Sequence, residues 1–204
     1  YDMDMPDYYN PDVKAEWQDC CDWWYDQVLT RFAEGNYENV DFVGFYWLSE
    51  QVGFTPAQVL YNTRKVHELG YKMFWIPFNY ANGYMWGRDV GFDAIAYQPN
   101  HFFGEPLEDG STSEVGNGYI DNVAYHANYG QIGLELEFDG RAFEDPFRYN
   151  QFLDYLNGAV KNGMDGDGSY RNWYQAVSAM GVAAASEDAQ VRALYDYSYQ
   201  LMQG

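Results

Sequence analysis

Positive charge is scarce in this chain: 11 lysines and arginines face 31 aspartates and glutamates, a net charge of −20. Such a surface repels phosphate backbones and anionic bilayers, so nucleic acid is not an expected partner. Long apolar runs are missing too, because no stretch approaches the roughly 20 residues that span a bilayer, and no membrane insertion is expected. Cysteine is confined to the neighbours Cys20 and Cys21. Side chains at adjacent helical positions diverge, which excludes a disulfide framework and a zinc cluster and leaves the compartment unread. His101 has no second His or Cys at metal-ligand spacing, no glycine-rich phosphate loop follows a strand, and no Gly-x-Ser-x-Gly elbow appears. Metal, nucleotide and serine-hydrolase chemistry are therefore disfavoured, and no cofactor is implied. The start at Tyr1 carries no basic, apolar targeting segment, so the chain reads as processed or as part of something longer.

What is present is a large apolar and aromatic fraction, 47% and 20% of 204 residues, enough for the core of a single domain over residues 1–204. Abundant Tyr, Trp, Asn and Gly with few Lys is a composition associated with secreted carbohydrate-active proteins, and suggests an extracellular or cell-surface location. Asn10-Pro11 reads as a helix cap and first-turn proline, followed by Val13, Trp17, Trp24, Val28 and Phe32 at helical spacing up to Gly35. Val40 to Leu48 has the continuous apolar pattern of a strand buried on both faces. Thr55-Pro56 opens a second helix that Gly70 stops, and Met73 to Phe78 is a strand. Phe92 to Tyr97 is another, followed by a long loop rich in Gly, Ser and Glu and a helix around Ile120 to Tyr129. Asp145-Pro146 opens a helix ending at Gly163, Trp173 to Val177 is the weakest strand, and a last helix covers Ala189 to Met202.

Strands alternating with helices predict an α/β protein with five parallel strands and right-handed crossovers. A closed alternating barrel needs eight strands and about 250 residues, more than this chain supplies. Two architectures stay open: an open doubly wound sheet, or the C-terminal part of a TIM-like (β/α)8 barrel.

The run Gly133-Leu134-Glu135-Leu136-Glu137-Phe138-Asp139 stands out, because strand alternation aims Glu135, Glu137 and Asp139 at one face and the apolar residues at the other. Carboxylates are costly to bury, so that face is expected to border a polar pocket. Glu50 closes a second strand-like run, Val43 to Ser49.

Five ordered blocks, Gly44-Phe45-Tyr46-Trp47-Leu48-Ser49-Glu50, Trp75-Ile76-Pro77-Phe78, Gly91-Phe92-Asp93, Tyr97-Gln98-Pro99-Asn100-His101-Phe102-Phe103 and Gly133 to Asp139, resemble an uncharacterised bacterial family, domain-of-unknown-function family 4855, which is itself similar to glycoside hydrolase barrels. The resemblance covers the chain from about Trp17 onward and implies that the first barrel strands lie outside it. With three strands missing, the Glu50 strand becomes the fourth of the barrel and the Glu137 strand the seventh, where many retaining glycosidases hold their acid/base and nucleophile. Ser49 stands where those enzymes usually carry Asn, and the presence of both Glu135 and Glu137 leaves the nucleophile open.

Glycoside hydrolysis needs a protonated carboxyl and an ionised one about 5 Å apart for retention or roughly 6.5–9.5 Å for inversion. Glu50 is the expected general acid/base and Glu137 the nucleophile or second base, with Glu135 tuning the pair. Trp47, Trp75, Asn79, Trp86, Tyr97, Gln98 and Asn100 are the expected sugar contacts, Trp86 being the best exposed; for any single aromatic ring, burial in the core is the competing role. A salt-bridged interior with Arg88 or Arg171 competes for Glu135 and Glu137. His67 reads as a surface helix residue, and Asp165-Gly166-Asp167-Gly168-Ser169 as a polar turn rather than a calcium loop, since Tyr170 replaces the required glycine. Three functions compete: a hydrolase acting on a polysaccharide or glycan, a non-catalytic carbohydrate-binding barrel, and an assembly protein completed by a missing N-terminal segment or by other chains. An exposed aromatic strand edge at Val40 to Leu48 would favour the third.

Overall fold

Proline-led caps start the long helices. Asn10 accepts a hydrogen bond from the Asp12 N–H (3.0 Å) ahead of Pro11, and Asp145 does the same for Phe147 (2.9 Å) ahead of Pro146. In the computed structural model, which describes residues 10–53, 55–105, 119–166 and 169–204, these caps open α1 (Pro11–Glu34) and α4 (Pro146–Lys161). The other elements are β1 (Gly44–Trp47), α2 (Pro56–Glu68), β2 (Lys72–Trp75), β3 (Ala94–Tyr97), α3 (Tyr119–Tyr129), β4 (Gly133–Glu137), β5 (Arg171–Tyr174), α5 (Ala179–Ala185) and α6 (Ala189–Gln203). Short 3-10 turns lie at Tyr84–Trp86, His101–Phe103 and Gly140–Phe143.

The five strands pair in chain order, β1-β2-β3-β4-β5, and every pairing is parallel. The sheet curls into a half-barrel: the Phe74 ring on β2 meets Tyr170, just ahead of β5, at 5.6 Å, although two strands separate them. Rings on opposite sides of a flat sheet's middle could not touch in this way.

Alternation along the strands sorts side chains between two faces. On the convex face, α1 covers Phe45 (Tyr25 at 4.8 Å), α4 covers Phe138 (Phe152 at 4.4 Å), and the segment leading into β3 covers Trp75 (stacked on Phe92 at 5.0 Å). Leu134 and Leu136 are fully buried beside them. On the concave face lie Tyr46, Phe74, Glu135 and Asn172. Gly133 opens β4 where a Cβ would sit 2.0 Å from the Tyr170 carbonyl oxygen, so only glycine allows β5 to approach this closely.

Several expectations need correction. The Val40 to Leu48 run forms a four-residue strand at the sheet edge, not one buried on both faces: Tyr46 within it is 44% exposed, and the flanking Val43 and Leu48 are exposed as well. Its apolar character signalled a strand, but among the described residues β1 has a neighbour on one side only. β5 begins two residues before Trp173 and ends at Tyr174, and α5 was not anticipated. Asp139 is not part of the strand that carries Glu135 and Glu137, which ends at Glu137. It lies past the strand, where its carboxylate accepts from the Arg141 N–H and pairs with the Arg141 guanidinium at 2.8 Å. Residues 106–118 of the expected long loop, and Asp167 and Gly168 of the expected polar turn, lie outside the described residues. No helix among the described residues is long and apolar enough to cross a membrane.

Candidate functional site

β4 carries the two carboxylates that define the site. Glu135 and Glu137 are both buried, at 3% and 0% exposure, and two residues apart they lean to one side of the strand. Neither Arg88 nor Arg171 neutralises them. Arg88 donates to the carbonyls of Gln131 and Asp93, and Arg171 to those of Met164 and Gly166. The salt-bridged interior expected as the main competitor is therefore not built by these two residues.

Glu135 accepts from Asn172 Nδ2 at 2.6 Å, its register partner on β5. Burial pushes its carboxyl up to about 8, the charge of Glu137 pushes the same way, the Asn172 hydrogen bond pulls back, and Glu50 adds a smaller upward push. Glu135 is thus held as a neutral acid at pH 7. It binds its proton more tightly folded than unfolded, so its stabilising contribution is complete below the ordinary Glu range near 4.5 and is lost as pH rises through about 8. Urea midpoints of the wild type are expected to fall over that window, and Glu135→Gln is expected to flatten the dependence. An equal slope in both proteins would remove Glu135 as its source.

Glu137 is fixed at the C-terminal end of the strand. Its Oε2 accepts from the Tyr155 hydroxyl at 2.5 Å and from the Asn100 N–H at 2.7 Å, and both donors favour negative charge on that oxygen. Tyr155, on α4, also accepts from the Phe102 N–H at 3.0 Å, and its ionisation is raised well above the usual tyrosine range, by burial first and then by Glu137. Asn100 reaches Glu137 because its backbone is left-handed (φ 61°), a conformation that asparagine tolerates better than most residues. Strained backbone is common where a residue must present a group to a site.

Tyr46, Phe74 and Tyr170 form a row across the concave face, with ring separations of 5.4 and 5.6 Å. The row brackets Glu135: the ionisation of Tyr46 and of Tyr170 is raised by burial first and then by the Glu135 charge. Tyr46 and Tyr170 keep 44% and 39% of their surface exposed. Glu50 sits exposed in the loop after β1, and its charge reaches both Glu135 and Tyr46.

The expected sugar contacts separate into groups. Trp75 and Tyr97 are fully buried on the convex side. The Trp75 indole donates to the Ser49 carbonyl, and the Tyr97 ring stacks on Tyr84 while its hydroxyl donates to Asn79. Both rings serve the core. Trp47, by alternation with Phe45, faces α1 rather than the concave side. Asn79 is bound to Tyr97 and Tyr119. Trp86 is 52% exposed, in the Tyr84–Trp86 turn. Gln98 and Asn100 do adjoin the site: Gln98 Nε2 donates to Asn100 Oδ1 at 3.3 Å, and Gln98 Oε1 is buried with no partner among the described residues. His101 is buried, bound to Asp154 at 2.9 Å and packed against Tyr155, while His67 is a helix residue bound to Asp93.

Sequence reasoning missed Tyr46, Phe74, Tyr155, Tyr170 and Asn172. Asn172 and Tyr170 were masked by a misplaced fifth strand, and a register of β5 starting at Arg171 would have set Asn172 opposite Glu135. No group of three or more His, Cys, Asp or Glu among the described residues is arranged to hold a metal ion.

No curated protein and no solved structure matches the chain. The model of the family described as a domain of unknown function (DUF4855) matches residues 4–200, and the chain belongs to that family.

Proposed function

We propose that the protein is a glycoside hydrolase-like enzyme that cleaves glycosidic bonds of a polysaccharide or glycan with two carboxyl groups. The observation that carries this reading is the buried Glu135–Glu137 pair, which has neither Arg88 nor Arg171 as a counter-ion and whose first member is held neutral near pH 7. Buried, mutually repelling carboxyls with separated tasks are a signature of acid/base chemistry. Their place toward the C-terminal ends of parallel strands fits the usual location of active sites in α/β sheets.

In this mechanism Glu135, rather than the exposed Glu50, is the general acid that protonates the leaving oxygen. Glu137, positioned by Tyr155 and Asn100, is the nucleophile or the base that activates water. Glu50 tunes the field at Glu135 from the rim. The half-barrel corresponds to the C-terminal part of a TIM-like barrel, acting outside the cell or at its surface on carbohydrate, with no nucleic acid partner.

The test is release of reducing ends from a panel of polysaccharides and aryl glycosides across pH. Hydrolysis with an alkaline limb near pH 8 that disappears in Glu135→Gln supports the assignment. Full turnover in both Glu135→Gln and Glu137→Gln would remove these residues from the mechanism.

The exposed β1 edge favours a second role beside the first. Val40, Val43, Tyr46 and Leu48 are exposed along it, and an apolar cleft of about 370 Å³ opens there between Trp24 on α1 and Trp47 and Leu48. An unpaired edge with such a flank accepts another strand, from a preceding segment or a second chain, which would carry the curled sheet toward closure.

A further inference from the structure

The charges around the concave face narrow the ligand. The carboxyl groups of Glu50 and Glu137 both act on Glu135, which is itself held neutral near pH 7, so the negative charge that meets a ligand here comes from Glu50 and Glu137. The guanidiniums nearest the C-terminal rim are already matched: Arg141 pairs with Asp139 at 2.8 Å and Arg148 with Glu105 at 3.0 Å. Arg88 and Arg171 are held by backbone carbonyls. At the other end of β2, Lys72 lies 3.7 Å from Asp93. An acidic sugar would therefore bring its charge to carboxyls without gaining a cation, inside a chain of net charge −20. Like-charge juxtaposition of this kind rejects a ligand more effectively than a lost contact does.

The same face offers what an uncharged sugar needs. Tyr46, Phe74 and Tyr170 form a row of rings beside Glu135, tilted and edge-on to one another, and the C–H faces of pyranose rings can stack on the half-exposed Tyr46 and Tyr170. The buried, unpartnered Gln98 Oε1 is an acceptor that a sugar hydroxyl would satisfy.

We propose that the glycan recognised at this site is free of acidic groups and lies on the Tyr46–Phe74–Tyr170 row, with the bond to be cleaved over Glu135. This inference rests on the hydrolase reading but concerns recognition, so it can be tested without turnover. The experiment is calorimetric titration of the whole chain with two sets of oligosaccharides: neutral gluco-, xylo-, manno- and galacto-oligomers, and uronate-containing and sulfated oligomers. Each titration is run at low and at high salt.

At least one neutral oligomer is expected to bind with little salt dependence. Acidic oligomers are expected not to bind at low salt, where repulsion is least screened. Tyr46→Ala and Tyr170→Ala, both at half-exposed positions, are expected to weaken the neutral ligand about tenfold each. Binding of an acidic oligomer as tight as that of any neutral one would overturn the charge inference and leave the hydrolase reading standing. Unchanged affinity in both tyrosine variants would overturn the platform. Failure of every oligomer to bind would overturn the hydrolase reading together with the inference.

Discussion

Glu137→Gln is expected to reduce glycoside hydrolysis by at least about 10³-fold while leaving the fold intact, as circular dichroism and a cooperative urea transition would show. The substitution keeps an oxygen that can accept from Tyr155 and from the Asn100 N–H, contacts that help to fix Glu137 at the end of β4. What it removes is the negative charge and the nucleophilic oxygen. A structural role for Glu137 would give the opposite signature, with unaltered turnover and a lower urea midpoint. Tyr155→Phe separates positioning from chemistry: it deletes one donor to Glu137 and is expected to lower kcat with little change in KM.

Trp75→Ala is expected to lower stability by about 3–5 kcal/mol, the largest effect of any single truncation considered for this sheet. Trp75 is fully buried on β2, stacks on Phe92 at 5.0 Å and donates its indole N–H to the Ser49 carbonyl at 2.8 Å. Removing it leaves a cavity under the helices and strips a buried carbonyl of its partner. A loss below about 1 kcal/mol would mean that the site collapses around the smaller side chain or that Trp75 is not core. The same ring reads from sequence as a sugar contact. Its helix-facing register is what assigns it to packing.

How much of this was legible beforehand follows from which signals are local. The caps Asn10-Pro11 and Asp145-Pro146 announce α1 and α4 because capping is settled within one turn. Thr55-Pro56 places α2 although Thr55 makes no side-chain cap hydrogen bond, so the proline carried that reading. β4 was evident from the alternation of leucine and glutamate. The lengths of the other strands were not, since an edge strand such as β1 and a central one can share the same apolar run. Asp139 shows the limit of alternation: the strand ends at Glu137, and nothing in the period of two marks that point.

The site was half legible for the same reason. Glu135 and Glu137 share a strand, so their common face is a local property. Tyr155 reaches Glu137 from α4, Asn172 meets Glu135 from β5, and Tyr170 closes on Phe74 across the curl, all of which depend on how distant segments meet. Trp75 and Tyr97 were drawn into the expected site because a large aromatic beside a strand end has the same sequence signature whether it faces a cleft or a helix.

The most direct test of the account is whether Glu135 is protonated at neutral pH in the folded protein. Infrared difference spectra of the carboxyl stretch, taken through a pH titration of the wild type and of Glu135→Gln, report it without any substrate. A protonated-carboxyl band is expected at pH 7 that disappears with an apparent pKa near 8 and is missing in Glu135→Gln. A wild type with no such band at pH 7, and spectra there indistinguishable from those of the variant, would show Glu135 ionised and contradict its role as the acid of the pair.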